Sequence, residues 1–131
     1  MNLEAFQRAR VGRLATCDGQ GRPHCVPVCF VVHRGQLVIP LDEKPKSVGF
    51  EKLRRVRNIR QNPQVTVLVD HYEEDWSQLG FVFVEGEAAI AELGAEATRA
   101  LHEKYPQYEK MDLEVGVWIS PHRTSGWGSL K

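Results

Sequence analysis

The sequence predicts a mainly β fold, with about six antiparallel strands in a closed or nearly closed barrel and two to three helices. Three observations carry this. Short apolar runs rich in β-branched residues, such as QVTVLVDHY, alternate with period two and are punctuated by turn residues. Helical patterning is confined to a few short stretches. At 131 residues the chain has the length of one domain and buries about two-thirds of its unfolded surface, so one core spanning residues 1–131 is expected.

Taken in order, Asn2 is placed to cap a short helix over residues 2–9, with Leu3 and Phe6 on one face. RVGRLATC reads as a strand. Asp18-Gly19-Gln20-Gly21 is a turn, because Asp-Gly and a second glycine reach positive φ at little cost. HCVPVCFVVH, residues 24–33, reads as one strand apolar on both faces, hence central and not at a wet edge. Arg34-Gly35 then turns the chain into QLVIPL, completing a three-stranded meander. FEKLRRVRNIRQN is helical, with Phe50, Leu53, Val56 and Ile59 recurring every three residues and Pro63 as its stop. QVTVLVDHY (64–72) puts Val65, Val67 and Val69 on one face. LGFVFVEGEAAI (79–90) sets Phe81 and Phe83 against Val82 and Val84. GAEATRALHEKY (94–105) is an amphipathic helix that ends before Pro106. LEVGVWIS (113–120) is a last strand, followed by a short tail holding Trp127.

Composition excludes several function classes. The chain is 42% hydrophobic and 26% charged, and its 17 basic and 17 acidic residues cancel, unlike a cationic nucleic-acid coat or a polyacidic tail. No apolar window is long enough to span a membrane, and MNLEAFQRARVGR has no apolar signal core, so a cytoplasmic protein is expected. Cys17, Cys25 and Cys29 are too few for a disulfide scaffold. Cys25 and Cys29, four apart on one strand, would lie about 13 Å from each other, too far to share a zinc ion, and read as small core residues. The histidines form no HExxH cluster, so no metal site is expected. No GxSxG elbow, Walker loop or Rossmann glycine pattern occurs. If the protein is an enzyme, its difficult chemistry belongs to a cofactor, and no side chain is assigned a catalytic role.

The zero net charge conceals a separation. Lys44, Lys46, Lys52, Arg54, Arg55, Arg57 and Arg60 face only Glu51, a local charge of +6, and Asp70, Glu73, Glu74 and Asp75 follow with −4. Seven like charges near one helix repel unless anions compensate. Lys44-Pro45-Lys46-Ser47 precedes the helix, where backbone N–H groups and the positive dipole end favour an anion. Arg54 and Arg55 present forked donors suited to phosphate. A nucleic-acid groove is the competing reading, without a docking signature to support it. Trp76 either covers a flat ring or serves as a packing or dimer contact, and Trp118 reads as packing. His71 and Tyr72 close their strand as structural residues or as donors to a substrate carbonyl.

The segments RVGRLATCDGQGRPHCVPVCFV, LDEKPK, LRRVRNIRQNPQVTVLVDHYEEDW and a GEA-bearing strand, in that order, resemble the pyridoxamine 5'-phosphate oxidase-like family of split β-barrels. DEKPK, RNI–NP and DHYEEDW are similar to the subgroup that uses the deazaflavin coenzyme F420, whereas ATxDxxGRP and the basic helix ending in NP are shared with flavin-binding relatives. The resemblance implies an FMN-binding-like split β-barrel and a homodimer with two cofactor sites at its interface. It implies an isoalloxazine-type ring against Pro27, Val28, Pro40 and Leu41. It implies a phosphate held by Lys44, Lys46, Ser47, Arg54 and Arg55, with Trp76 lining the ring from the partner subunit. The implied activity is hydride transfer to an electron-poor small molecule. FMN is the alternative cofactor, and a non-catalytic flavin- or tetrapyrrole-binding barrel the alternative role. FMN carries one phosphate, whereas the deazaflavin adds a carboxylate-rich tail, and the basic excess here favours the latter.

Overall fold

The computed structural model describes residues 3–41 and 49–130. Among the described residues three helices, α1 (Glu4–Arg8), α2 (Arg54–Gln61) and α3 (Gly94–Lys104), accompany seven strands. The strands are β1 (Gly12–Cys17), β2 (Pro23–Val28), β3 (Val31–His33), β4 (Gln36–Pro40), β5 (Gln64–His71), β6 (Gly80–Glu92) and β7 (Val115–Gly128). Short 3₁₀ turns lie at Phe50–Lys52, Trp76–Gln78 and Pro106–Lys110.

The strand order is β2-β1-β5-β6-β7-β4-β3, with antiparallel neighbours throughout. The terminal strands β2 and β3 are joined by only Cys29 and Phe30, so the sheet must curl until its two edges meet in space without pairing. This is the expected mainly β split barrel, left open along one seam. Leu14 of β1, Leu37 of β4, Val67 of β5, Val84 of β6 and Ile119 of β7 are fully buried in one cluster, the interior of that curl. Each contributes about 1.5–3 kcal/mol by leaving water. The alternation expected of β5 and β6 holds: Val65, Val67, Val69, Val82 and Val84 point inward. A second cluster lies outside the sheet, where Ala97 and Leu101 of α3 pack with Tyr105, Tyr108, Val31 and Val38.

Four expectations need correction. The helix read over FEKLRRVRNIRQN is a 3₁₀ turn, Phe50–Lys52, then an extended Leu53, and only then α2 from Arg54. Residues 24–33 are not one central strand but two strands on opposite edges, so β3 and β4 form a hairpin docked on β7 and not a meander with β2. Because β2 has no outer neighbour, Cys25 is exposed, and Cys29 sits half-buried in the connection to β3, so neither is a core residue. Trp127 lies within β7, opposite Phe81, and the rings of Phe83, Phe81 and Trp127 follow one another at 6.3 and 6.1 Å.

Local chemistry explains the turns. Asp18 Oδ1 accepts from the backbone N–H groups of Gln20 and Arg22, both at 2.9 Å, which closes the β1–β2 turn. Arg34 and Gly35 both take positive φ, 52° and 78°, as a tight two-residue hairpin whose twist matches its strands requires. The helix α2 is fixed to β1 and its turn by two polar contacts. Asn58 Nδ2 donates to Thr16 Oγ1 at 3.0 Å, both groups buried, and the Gly19 N–H donates to Gln61 Oε1 at 2.8 Å.

Candidate functional site

A cleft of about 310 Å³ opens between β2 and β4. Pro27, Val28 and Cys29 form one side, and Ile39 and Pro40 the other. Arg55 reaches it from α2, and Val11 and Tyr108 complete the lining. The two prolines offer flat walls without N–H donors, and Pro27 is tolerated because β2 is an edge strand. An edge also keeps one row of backbone groups free for a ligand. Arg55 is only 8% exposed, so its charge acts where water screens little.

Of the residues the sequence singled out, Pro27, Val28, Pro40 and Arg55 meet in this cleft. Leu41 follows Pro40 but turns into the core at 4% exposure, its N–H donating to the Val115 carbonyl at 2.9 Å. Arg54 does not join Arg55. It lines a separate polar depression with Asp18, Arg22, Arg57 and Gln61. Consecutive helical residues point about 100° apart, and here Arg55 turns to the cleft while Arg54 turns to the polar depression. Lys44, Lys46 and Ser47 lie outside the described residues. Trp76 starts the 3₁₀ turn between β5 and β6, is 69% exposed and does not line the cleft of its own chain. His71 Nε2 lies 2.6 Å from Glu73, and the Tyr72 hydroxyl donates to Glu74 at 3.4 Å, so both face their own acidic loop.

Val11, Cys29, Ile39 and Tyr108 were not anticipated as lining residues. Nothing in the pattern marked Val11 or Tyr108, whereas Cys29 and Ile39 adjoin residues that were named.

Asp18 and Lys104 are among the ionisable groups whose surroundings shift them. The Arg22 guanidinium, 2.7 Å from Asp18 Oδ2, together with the turn N–H groups, holds the Asp18 carboxyl down to about 2. Burial, aided by the nearby Arg10 charge, pulls the Lys104 ammonium down to about 8, with its Nζ 4.0 Å from the centroid of the Phe30 ring. Among the described lining residues of the cleft there is no serine, histidine or carboxylate. Apolar walls and the buried Arg55 cation give the described part of the cleft a mixed lining, apolar with one positive charge.

Comparison with known proteins agrees with the fold. The chain is similar to the conserved protein Rv2991 of Mycobacterium tuberculosis, at 26% identity and a TM-score of 0.74, covering 96% of this chain and 81% of that one. It shares its fold with HutZ, the haem storage protein of Vibrio cholerae, at 18% identity and TM-score 0.67, covering 95% and 88% of the two chains. It also shares its fold with an F420 reductase, at 21% identity and TM-score 0.67, covering 94% of each chain. No curated protein matches it. The family model described as pyridoxamine 5'-phosphate oxidase matches residues 2–128, nearly the whole length, and the chain therefore belongs to that family.

Proposed function

We propose that the protein is an oxidoreductase that holds the deazaflavin coenzyme F420 in the β2–β4 cleft and serves hydride transfer to an electron-poor small molecule. One observation carries the reading: Pro27, Val28, Pro40 and Arg55, distant in sequence, converge on one cleft with a single buried guanidinium. The bound deazaflavin would supply the hydride chemistry. The chain's own part is to seat the ring between Pro27–Val28 and Pro40, to neutralise a phosphate with Arg55, and to exclude water. Family membership and the shared fold with an F420 reductase support this.

The cleft is small for a ligand pocket, so a bound cofactor would project beyond it. A homodimer answers that, with the partner subunit's Trp76 covering the ring. Exposed Tyr72, Trp76, Phe81 and Trp127 give the chain a surface aromatic content that fits an interface. FMN remains the second reading, favoured by the single buried guanidinium, which suits a ligand with one phosphate.

Equilibrium binding to the deazaflavin and to FMN, followed by fluorescence at low and high salt, tests the proposal. Tighter, salt-sensitive deazaflavin binding is expected. Preferential FMN binding moves the protein to the flavin branch. Binding of a tetrapyrrole with neither of the others, or of no ligand at all, refutes the reading.

A further inference from the structure

We infer that Tyr105, which does not line the cleft, is the positioning residue that sets the shape of one of its walls. This deepens the reading above and rests on it for the ligand, not for the geometry. Tyr105 closes α3 and is 6% exposed. Its hydroxyl oxygen accepts from the Phe30 N–H at 3.2 Å, its proton is shared between the carbonyls of Arg10, at 3.0 Å, and Phe30, at 3.2 Å, and the Cys29 side chain is a further hydrogen-bond partner, so the Cys29 thiol reports the tie directly. One hydroxyl therefore joins three segments: the α1–β1 link, the two-residue β2–β3 connection at the seam, and the end of α3.

Each contact abuts a lining residue. Arg10 precedes Val11, Phe30 follows Cys29, and the Tyr105 ring meets Tyr108 edge-on with centroids 5.6 Å apart. Three of the eight lining residues thus take their place from one side chain. The seam is where such a tie is needed, because among the described residues no strand pairing spans β2 and β3 and the Phe30 backbone groups lie outside the ladders. The Arg10 guanidinium, 4.7 Å from the centroid of the Tyr105 ring, adds a contact between the same segments. Burial also keeps the phenol above its ordinary pKa.

The test is Tyr105→Phe, which keeps the ring and its contact with Tyr108 and removes only the hydroxyl. Trp118→Phe is the control, since it removes a different hydrogen bond, Trp118 Nε1 to the Glu92 carbonyl at 3.2 Å, in the same outer cluster. The first readout needs no cofactor: the alkylation rate of Cys29, which lines the cleft, relative to exposed Cys25, by peptide mass spectrometry. Tyr105→Phe is expected to raise the Cys29 rate several-fold while the far-ultraviolet dichroism stays native, and Trp118→Phe to leave it unchanged. The second readout is affinity for FMN and for the deazaflavin, expected to fall at least tenfold in Tyr105→Phe only. An unchanged Cys29 rate in a folded Tyr105→Phe, or an equal rise in Trp118→Phe, overturns the inference. If the wild-type protein binds neither cofactor, the functional reading fails, and the thiol arm still decides the role of Tyr105. If Tyr105→Phe does not fold, amide hydrogen exchange of the wild-type protein decides: a Phe30 N–H protected like the paired amides of β1 supports the tie, and one that exchanges like an exposed loop amide overturns it.

Discussion

Replacing Arg55 by methionine separates a buried anion site from a merely basic helix. Methionine keeps the length and apolar stem of the side chain and deletes its charge. At 8% exposure Arg55 is poorly screened, so its hydrogen bonds to a phosphate belong to the charge-assisted class, worth about 1.5–3 kcal/mol. At about 1.4 kcal/mol per decade, FMN affinity should fall by about 10- to 150-fold. Arg54 and Arg57, exposed on another face of the same helix, should each matter by less than about fivefold, as exposed ion pairs contribute at most about 1 kcal/mol. Riboflavin, which carries the same ring without the phosphate, supplies the internal control. The assay is fluorescence titration of wild type, Arg55→Met and Arg54→Met with FMN, riboflavin and the deazaflavin, alongside thermal melts. Arg55→Met should lose FMN and deazaflavin affinity and keep that for riboflavin. An equal loss for riboflavin, or an equal loss in Arg54→Met, would refute the assignment of Arg55 to a phosphate.

Three further outcomes follow from the scaffold. Asp18 has a folded pKa of about 2, below its ordinary 3.8, so its contribution is present above pH 4 and lost as pH falls toward 2; Asp18→Asn should flatten that part of the acid-stability curve measured by urea unfolding. Lys104 is held at about 8 against an ordinary 10.5, so the unfolded chain binds the extra proton between those values; stability should gain from this group as pH rises from 8 to 10.5, and the gain should vanish in Lys104→Met. Asn58→Leu and Thr16→Val should each destabilise by about 1–3 kcal/mol by stranding a buried partner, while the double variant loses clearly less than their sum; strict additivity in a urea-unfolding cycle would show that the 3.0 Å contact is not an energetic pair.

Much of the barrel could be read from alternation alone, because Val65, Val67, Val69, Val82 and Val84 sit on strands with one face in the core. The β2–β3 region misled because nothing breaks its apolar run: the chain passes from one sheet edge to the other through Cys29-Phe30, without glycine or proline at the crossing. The tail Ser-Gly-Trp-Gly has loop composition, and only its ladder to β6 makes it strand, a tertiary choice that local propensity does not contain. For the site, Arg55 was legible as a phosphate candidate but not as distinct from Arg54. The periodicity held that distinction, since Arg55 falls beside Val56 and Ile59 on the buried side of α2. Tyr105 and Tyr108 were invisible because their roles depend on α3 lying over β3, a contact between segments far apart in the chain.

The sheet order also has a consequence for how the chain reaches its native state. β4 pairs with β7, matching Pro40 to Gly116 and Leu37 to Ile119, and apart from its own hairpin with β3 it has no other ladder among the described residues. During synthesis the β3–β4 hairpin therefore emerges long before the strand that receives it, with Leu37, Val38 and Ile39 lacking their final cover. Pairings so distant in sequence pay their loop-closure entropy before any reward, which slows folding and leaves apolar strand exposed meanwhile. β7 is thus the strand that covers β4, whose Ile39 and Pro40 form one wall of the cleft.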